Sequence, residues 1–207
     1  GQYIDAAQLE MGLQFLAPQL IDYGLSGRPV TRDGNRSDVM APHGAFPCQG
    51  EDQWCAIAVE NDQQWAGLRR ALGEPDWAKD ERFDNSAGRL AHQDEIESML
   101  SEWTHSLPPK AVMEALLSEG VPAGVVQRSS DLQHDPQLAH RGFFRNLDHQ
   151  EMGTVPYPGH QFRISGYDSG PRSPAPLLGQ HTEYVLTELL GMTDEEMVEA
   201  VIAGAIA

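Results

Sequence analysis

At 207 residues, with 40% hydrophobic and 22% charged residues, the chain is long enough to bury a core and has a globular composition. Its 31 acids against 14 bases leave a formal charge of −17, which argues against nucleic acid as a partner because phosphates would be repelled. No apolar run approaches the ~18–20 residues that a bilayer span needs, and no basic-then-apolar leader opens the chain, so a cytoplasmic location without a membrane partner is expected.

The first element is a helix over Ile4–Leu25, with Leu9, Leu13, Leu16, Leu20 and Tyr23 at three- and four-residue steps. Pro18 is expected to kink or divide it. The stretch from Gly27 to Pro42 is polar and aperiodic, and reads as a connector or loop. Ala45–Cys48 and Gln53–Val59 form two strands around a Gly-Glu-Asp turn, with both faces of the second available for cover. Asn61 caps the next helix, with Gln64 completing a capping box and Trp65, Leu68 and Leu72 as its apolar stripe. Pro75–Lys79 adds a helical turn.

Ala87–His105 reads as one helix carrying Leu90, Ile96, Leu100 and Trp103. Pro108 and Pro109 start another, with Val112, Leu116 and Leu117 buried. Val121–Gln127 is a strand, and Ser130–His134 and Pro136–His140 are short helices. Phe143–Leu147, Thr154–Tyr157 and Phe162–Ser165 read as a small antiparallel set, with His149 and Glu151 solvent-facing at a hairpin. Tyr167–Leu178 is a Pro/Gly/Ser linker. Thr182–Leu190 and Asp194–Ala203 are closing helices, the second capped by Thr193 with Glu196. Strands interspersed with helices without a regular βαβ rhythm indicate an α+β fold. No glycine-rich phosphate loop follows a strand.

Cys48 and Cys55 sit on opposite arms of the hairpin. Cys48 should face residue 53 rather than 55, so the two read as small buried residues and not as a disulfide. Trp54, Trp65, Trp77 and Trp103 read as core. His134, Asp135 and His140 do not share a helical face; Asp135-Pro136 is better explained as an N-cap followed by proline at the first helical position, and no metal is expected.

Four phrases, GQYIDAAQLE (Gly1–Glu10), GNRSDVMAPHGAFPCQGEDQW (Gly34–Trp54), DPQLAHRGFF (Asp135–Phe144) and APLLGQHTEYVLTELLG (Ala175–Gly191), in this order resemble the second half of a class III CoA-transferase of the CaiB/BaiF group. That group includes formyl-CoA transferase and alpha-methylacyl-CoA racemase. The resemblance implies a coenzyme A thioester and a carboxylic acid as substrates. It also implies that the catalytic aspartate lies upstream of Gly1, in a Rossmann-like N-terminal half. Full-length relatives are interlocked homodimers; without the first half that link is not expected, and a homodimer of this chain would rest on faces built to meet the large domain, such as the Ile4–Leu25 helix. On this reading residues 1–27 are a helix of the large domain and 28–44 are the connector and active-site-loop equivalent. Residues 45–127 form the small α+β domain, and 128–207 form the return linker, small strands and closing helices.

Within the loop equivalent the substrate candidates are Ser37, Asp38, Val39, Met40, Ala41, His43 and Gly44. The formyl branch has a glycine-rich loop here, where glycines let backbone approach and swing over an acyl intermediate. Side chains at 37–41 depart from that pattern and point to a stiffer loop and a different pocket; the resemblance alone implies an acyl group larger than formyl. His43 is read either as polarising a thioester carbonyl or shuttling a proton, or as donating to a backbone carbonyl at the start of a strand. The pair His181-Thr182 is read as satisfying free donors at a helix start. The remaining alternatives are a racemase fragment and a standalone non-catalytic binding module.

Overall fold

The computed structural model describes residues 1–206. They separate into two compact units, Gly1–Val126 and the residues from Gln127 on. The architecture is α+β.

The first unit is built on a three-stranded antiparallel sheet of β1 (His43–Pro47), β2 (Trp54–Ala58) and β3 (Ala123–Val125), in that order. Phe46 pairs with Cys55, and Cys48 N–H donates to the Gln53 carbonyl at 2.8 Å, so the hairpin register keeps the two cysteines out of step. Both thiols are free. The period of two sends Cys55 and Ile57 into the core, with Phe46 beside them.

Helices cover only that one face. α3 (Asp62–Ala71) buries Trp65, Gly67 and Leu68; α5 (Gln93–His105) buries Ile96, Leu100 and Thr104; α6 (Pro109–Ser118) buries Val112 and Leu116. Each aliphatic side chain so buried contributes about 1.5–3 kcal/mol. Thr104 Oγ1 ties α5 to β1 by donating to the Pro47 carbonyl at 2.8 Å. Asn61 caps α3 by accepting from Gln64 N–H at 2.9 Å, and the Gln64 side chain reaches back to Glu60 N–H, one residue upstream of the expected partner. Gly67 lets α3 approach the end of α6, where an added Cβ would lie 2.4 Å from the Glu119 carbonyl.

Several expectations for this unit change, among them the burial of Leu117, which is 51% exposed. The helix expected over 87–105 is two, α4 (Ser86–Ala91) and α5, broken at His92, whose ring meets Phe83 edge-on. The strand expected over 121–127 pairs only at Ala123–Val125, because Val121 points into the core and Pro122 has no N–H to give the ladder. Trp54 is not core but 37% exposed, its indole N–H held by Asp52 at 2.9 Å. The N-terminal helix begins at Gln8, four residues later than expected. It runs as α1 (Gln8–Leu13), a 3₁₀ turn, and α2 (Ala17–Ser26) with Pro18 in its first turn. Proline has no N–H for the Gln14 carbonyl and clashes with it, so the helix divides there. Its apolar stripe is uncovered, with Leu9, Leu13, Leu16, Leu20 and Tyr23 all exposed.

The second unit opens with α7 (Ser129–Leu132) and α8 (Pro136–Arg141), the latter capped by Asp135, which accepts from Leu138 N–H at 2.9 Å. The hairpin of β4 (Phe144–His149) and β5 (Gly153–Pro158) follows. The expected third strand is absent among the described residues; Phe162–Ser165 contributes one isolated bridge, Ile164 to Tyr167. His149 is buried rather than solvent-facing, because its Nδ1 accepts from both Glu151 and Met152 N–H at 3.2 Å and draws the ring under the turn. The first closing helix is π-wound over Tyr184–Leu189. The second, α9 (Asp194–Ile202), carries the reciprocal Thr193–Glu196 capping box. No helix among the described residues is long and apolar enough to cross a membrane.

The cysteines supply a first prediction. Burial, with the neighbouring Cys48 as a second cause, pushes the Cys55 thiol up to about 11, and burial also raises Cys48. Thiolate is the reactive form. Iodoacetamide at pH 8 is therefore expected to label neither cysteine in the folded chain and both in urea. Folding holds the protons on, so this part of the stability is intact below pH 9 and is lost as pH rises toward 11. Labelling without denaturant, read by mass, would refute it.

Candidate functional site

The loop that precedes β1 is fastened at both ends. At its start Arg36 reaches across to α5, with Nη2 2.5 Å from Asp94 Oδ1 and 2.6 Å from Glu97 Oε2, while its Nε sits 3.2 Å from both Glu97 oxygens. These carboxylates hold the guanidinium in its charged form, the Glu97 hydrogen bonds contributing most. At its end Ala41 and Pro42 are buried. The Ala41 carbonyl accepts from Arg89 Nε at 3.2 Å, and the Pro42 carbonyl accepts from Val59 N–H at 2.9 Å.

Arg89 is the buried member of this arrangement, 1% exposed. Besides Ala41 it donates to the Phe83 carbonyl at 3.0 Å and to Asp62 Oδ1 at 2.8 Å, and its guanidinium lies 5.5 Å from the Trp65 ring centroid. It links α3, α4, the turn at Phe83 and the loop. The sequence reading missed it, taking Leu90 as the buried residue. A signal was present: Arg89 is in helical phase with Ile96 and Leu100, seven and eleven residues on.

Between these anchors Ser37 and Met40 are half-buried, and Asp38 and Val39 are exposed, Val39 at 67%. The Ser37 hydroxyl accepts from Val39 N–H at 3.2 Å and shapes the bend.

The loop's flanks adjoin the uncovered face of the sheet. His43, Ala45 and Pro47 of β1 stand opposite Ala58, Ala56 and Trp54 of β2, and Gly124 of β3 stands beside Ala56. No helix of the first unit packs on this row. His43, Ala45, Ala56, Ala58 and Gly124 form the floor of a groove of about 660 Å³, lined also by Asn35, Gly44, Ile57, Pro122, Ala123 and Val126. Apart from Asn35 and His43 the lining is apolar, and it contains no carboxylate, hydroxyl or thiol. The expectation that both faces of β2 could be covered fails here because α3, α5 and α6 all pack on the other side.

His43 lines this groove, and its Nδ1 lies 2.5 Å from the Asn35 carbonyl. A carbonyl only accepts, so Nδ1 carries the proton and Nε2 of the neutral ring is left as an acceptor. The remaining sequence candidates belong to the second unit. At Gln180-His181-Thr182 the turn is held by the Gln180 side chain, which accepts from Leu177 N–H at 2.8 Å, rather than by the His-Thr pair. His134 Nδ1 meets the Ser130 carbonyl at 3.0 Å, and Asp135 is engaged as a cap. Among the described residues no three His, Cys, Asp or Glu side chains are grouped to hold a metal ion.

The model of the family described as CoA-transferase family III matches residues 1–182. A "Probable CoA-transferase Rv1866" of Mycobacterium tuberculosis is 35% identical over 74% of this chain and 20% of its own length. The "Succinyl-CoA--L-malate CoA-transferase beta subunit" of Chloroflexus aurantiacus is 31% identical over 95% of this chain and 49% of its own length. A solved CAIB/BAIF family protein from Brucella suis superposes with a TM-score of 0.77 at 33% identity, covering 91% of this chain and 48% of that one. The chain thus spans half or less of the length of these relatives.

Proposed function

The chain belongs to CoA-transferase family III, and on that footing we propose that it supplies the small α+β domain and the loop over the thioester in an acyl-CoA:carboxylate CoA-transferase. One observation carries this reading. The 37–41 segment is pinned on both sides, by Arg36 and by Arg89, while its middle stays exposed between residues that line an uncovered apolar groove. A loop fixed at its ends and free at its crown can cover a bound acyl group and still let it leave.

The groove lining has no carboxylate. We therefore assign the attacking carboxylate to a part of the parent enzyme outside these residues. That carboxylate attacks the acyl carbon of the donor thioester, CoA thiolate leaves, and a mixed anhydride forms. The thiolate then attacks the enzyme's own carbonyl of the anhydride. Donor acid departs, and CoA is left on the enzyme as a thioester. The acceptor carboxylate attacks that thioester and takes CoA by the same two steps in reverse. Here the apolar groove would shield the anhydride from water once the enzyme closes over it, and His43 stands in its wall. The small side chains of the floor favour an acyl group larger than formyl. On this reading CoA and the acid are turned over only by the assembled enzyme.

The test is complementation. The chain is co-expressed with the N-terminal half of a family relative, and CoA transfer from succinyl-CoA to glutarate is followed by chromatography. Transfer is expected from the pair and from neither part alone. Turnover by this chain alone would place the nucleophile within it. A folded, associated pair that transfers no CoA from any of a panel of acyl donors would favour a non-catalytic binding module.

A further inference from the structure

Cations are scarce in this chain, yet three arginines of the second unit line one pocket. Arg141, Arg145 and Arg163 surround a space of about 270 Å³ between the open end of the β4–β5 hairpin and the segment 159–171. Asp168 is the only carboxylate in the lining. It is already engaged, its Oδ1 accepting from Arg145 Nη2 at 2.6 Å, while Arg145 Nη1 donates to the Pro171 carbonyl at 3.0 Å. The Arg145 guanidinium holds the Asp168 carboxyl below the usual carboxylate range.

The other two positive charges are not neutralised. Arg163 donates to the backbone carbonyl of Arg141, which carries no charge. The Arg141 guanidinium has no hydrogen-bond or ion-pair partner among the described residues. Two like charges held in one concavity repel, and an anion between them removes that cost.

The walls are built closely. A Cβ on Gly170 would lie 2.7 Å from Arg145 Nη2, and one on Gly159 would lie 2.7 Å from the Phe143 carbonyl. The His160 and Phe162 rings stack at 5.1 Å with 7° between their planes, forming a flat side.

We propose that this pocket binds a phosphate dianion. Two uncompensated guanidinium groups match a doubly charged oxyanion better than a single carboxylate, and the guanidinium fork suits phosphate oxygens. The phosphates of CoA are one source and free phosphate another. The CoA source rests on the transferase reading, and binding of free phosphate does not.

The test is calorimetric titration of the whole chain at low salt with inorganic phosphate, succinate, CoA and dephospho-CoA, which lacks the 3′-phosphate. Phosphate is expected to bind saturably, at least tenfold tighter than succinate. Arg141→Gln is expected to weaken it tenfold or more without shifting the melting temperature, since that side chain has no internal partner. Arg163→Gln should weaken it too, but its backbone bond makes it the second variant. Displacement of phosphate by CoA but not by dephospho-CoA would identify the 3′-phosphate as the source, and failure of CoA to displace it would identify free phosphate. No saturable phosphate binding, binding unchanged in Arg141→Gln, or succinate binding as tightly as phosphate would each overturn the proposal. The readout needs no turnover, so a failed complementation leaves it standing.

Discussion

Replacing Arg89 with methionine is expected to destabilise the first unit by about 3–5 kcal/mol and to release the end of the 37–44 loop. Methionine fills much of the aliphatic volume. It leaves the Ala41 and Phe83 carbonyls, both on buried residues, without donors. An unsatisfied buried acceptor costs about 1–3 kcal/mol, and two of them dominate the change. The Asp62 partner contributes less, because its side chain is 65% exposed and water replaces the guanidinium. Asp62→Asn is accordingly expected to cost no more than about 1–2 kcal/mol. Urea melts followed by tryptophan fluorescence separate the two variants. If Arg89→Met melted within about 0.5 kcal/mol of the parent, a change of the size seen at ordinary surface sites, the anchoring role would be wrong. In the complemented enzyme the same variant is expected to raise KM for the acyl donor, since the loop loses a fixed end.

Gly88→Ala is expected to destabilise the same unit by about 2 kcal/mol, against the usual sign for such a change in a helix. Helix propensity alone favours alanine by about 1 kcal/mol. The position forbids it: an added Cβ would lie 1.9 Å from the Arg82 carbonyl oxygen, and that neighbour is backbone, which cannot rotate away. Relieving such an overlap costs about 1–3 kcal/mol. Moving α4 also breaks its cap, the 2.9 Å bond from Gly88 N–H to Asn85 Oδ1, which is worth about 1 kcal/mol. Gly12→Ala is the control. Gly12 lies in α1 with open space around it, so helicity should rise there and the core should be unaffected. A Gly88→Ala chain as stable as the parent in the same melts would refute the contact.

Features set by neighbouring residues were legible in the sequence. The caps at Asn61, Asp135 and Thr193 each use a side chain and an N–H three residues on, so a short word is enough to specify them. The hairpin register that keeps Cys48 from Cys55 follows from a four-residue turn. Pro18 dividing the first helix is a clash with its own preceding turn.

Features that depend on distant partners were not. Periodicity showed that residues 9–23 have an apolar face, but not that this face stays exposed among the described residues. It showed strands at 45–48 and 53–59, but not that all the helices lie on one side and leave a groove of alanines and glycine on the other. An arginine next to a leucine reads as surface, and only the convergence of α3, the Phe83 turn and the loop at one point makes Arg89 the buried residue.

The family, the α+β class, the caps and the hairpin are written in short words of sequence, because hydrogen bonds and steric clashes a few residues apart are encoded in adjacent letters. Where the loop is fastened, which sheet face is open and where the arginines gather emerge on folding. Those outcomes depend on which groups from distant segments meet at hydrogen-bonding distance, and burial then makes each unmet polar group costly enough to select the arrangement.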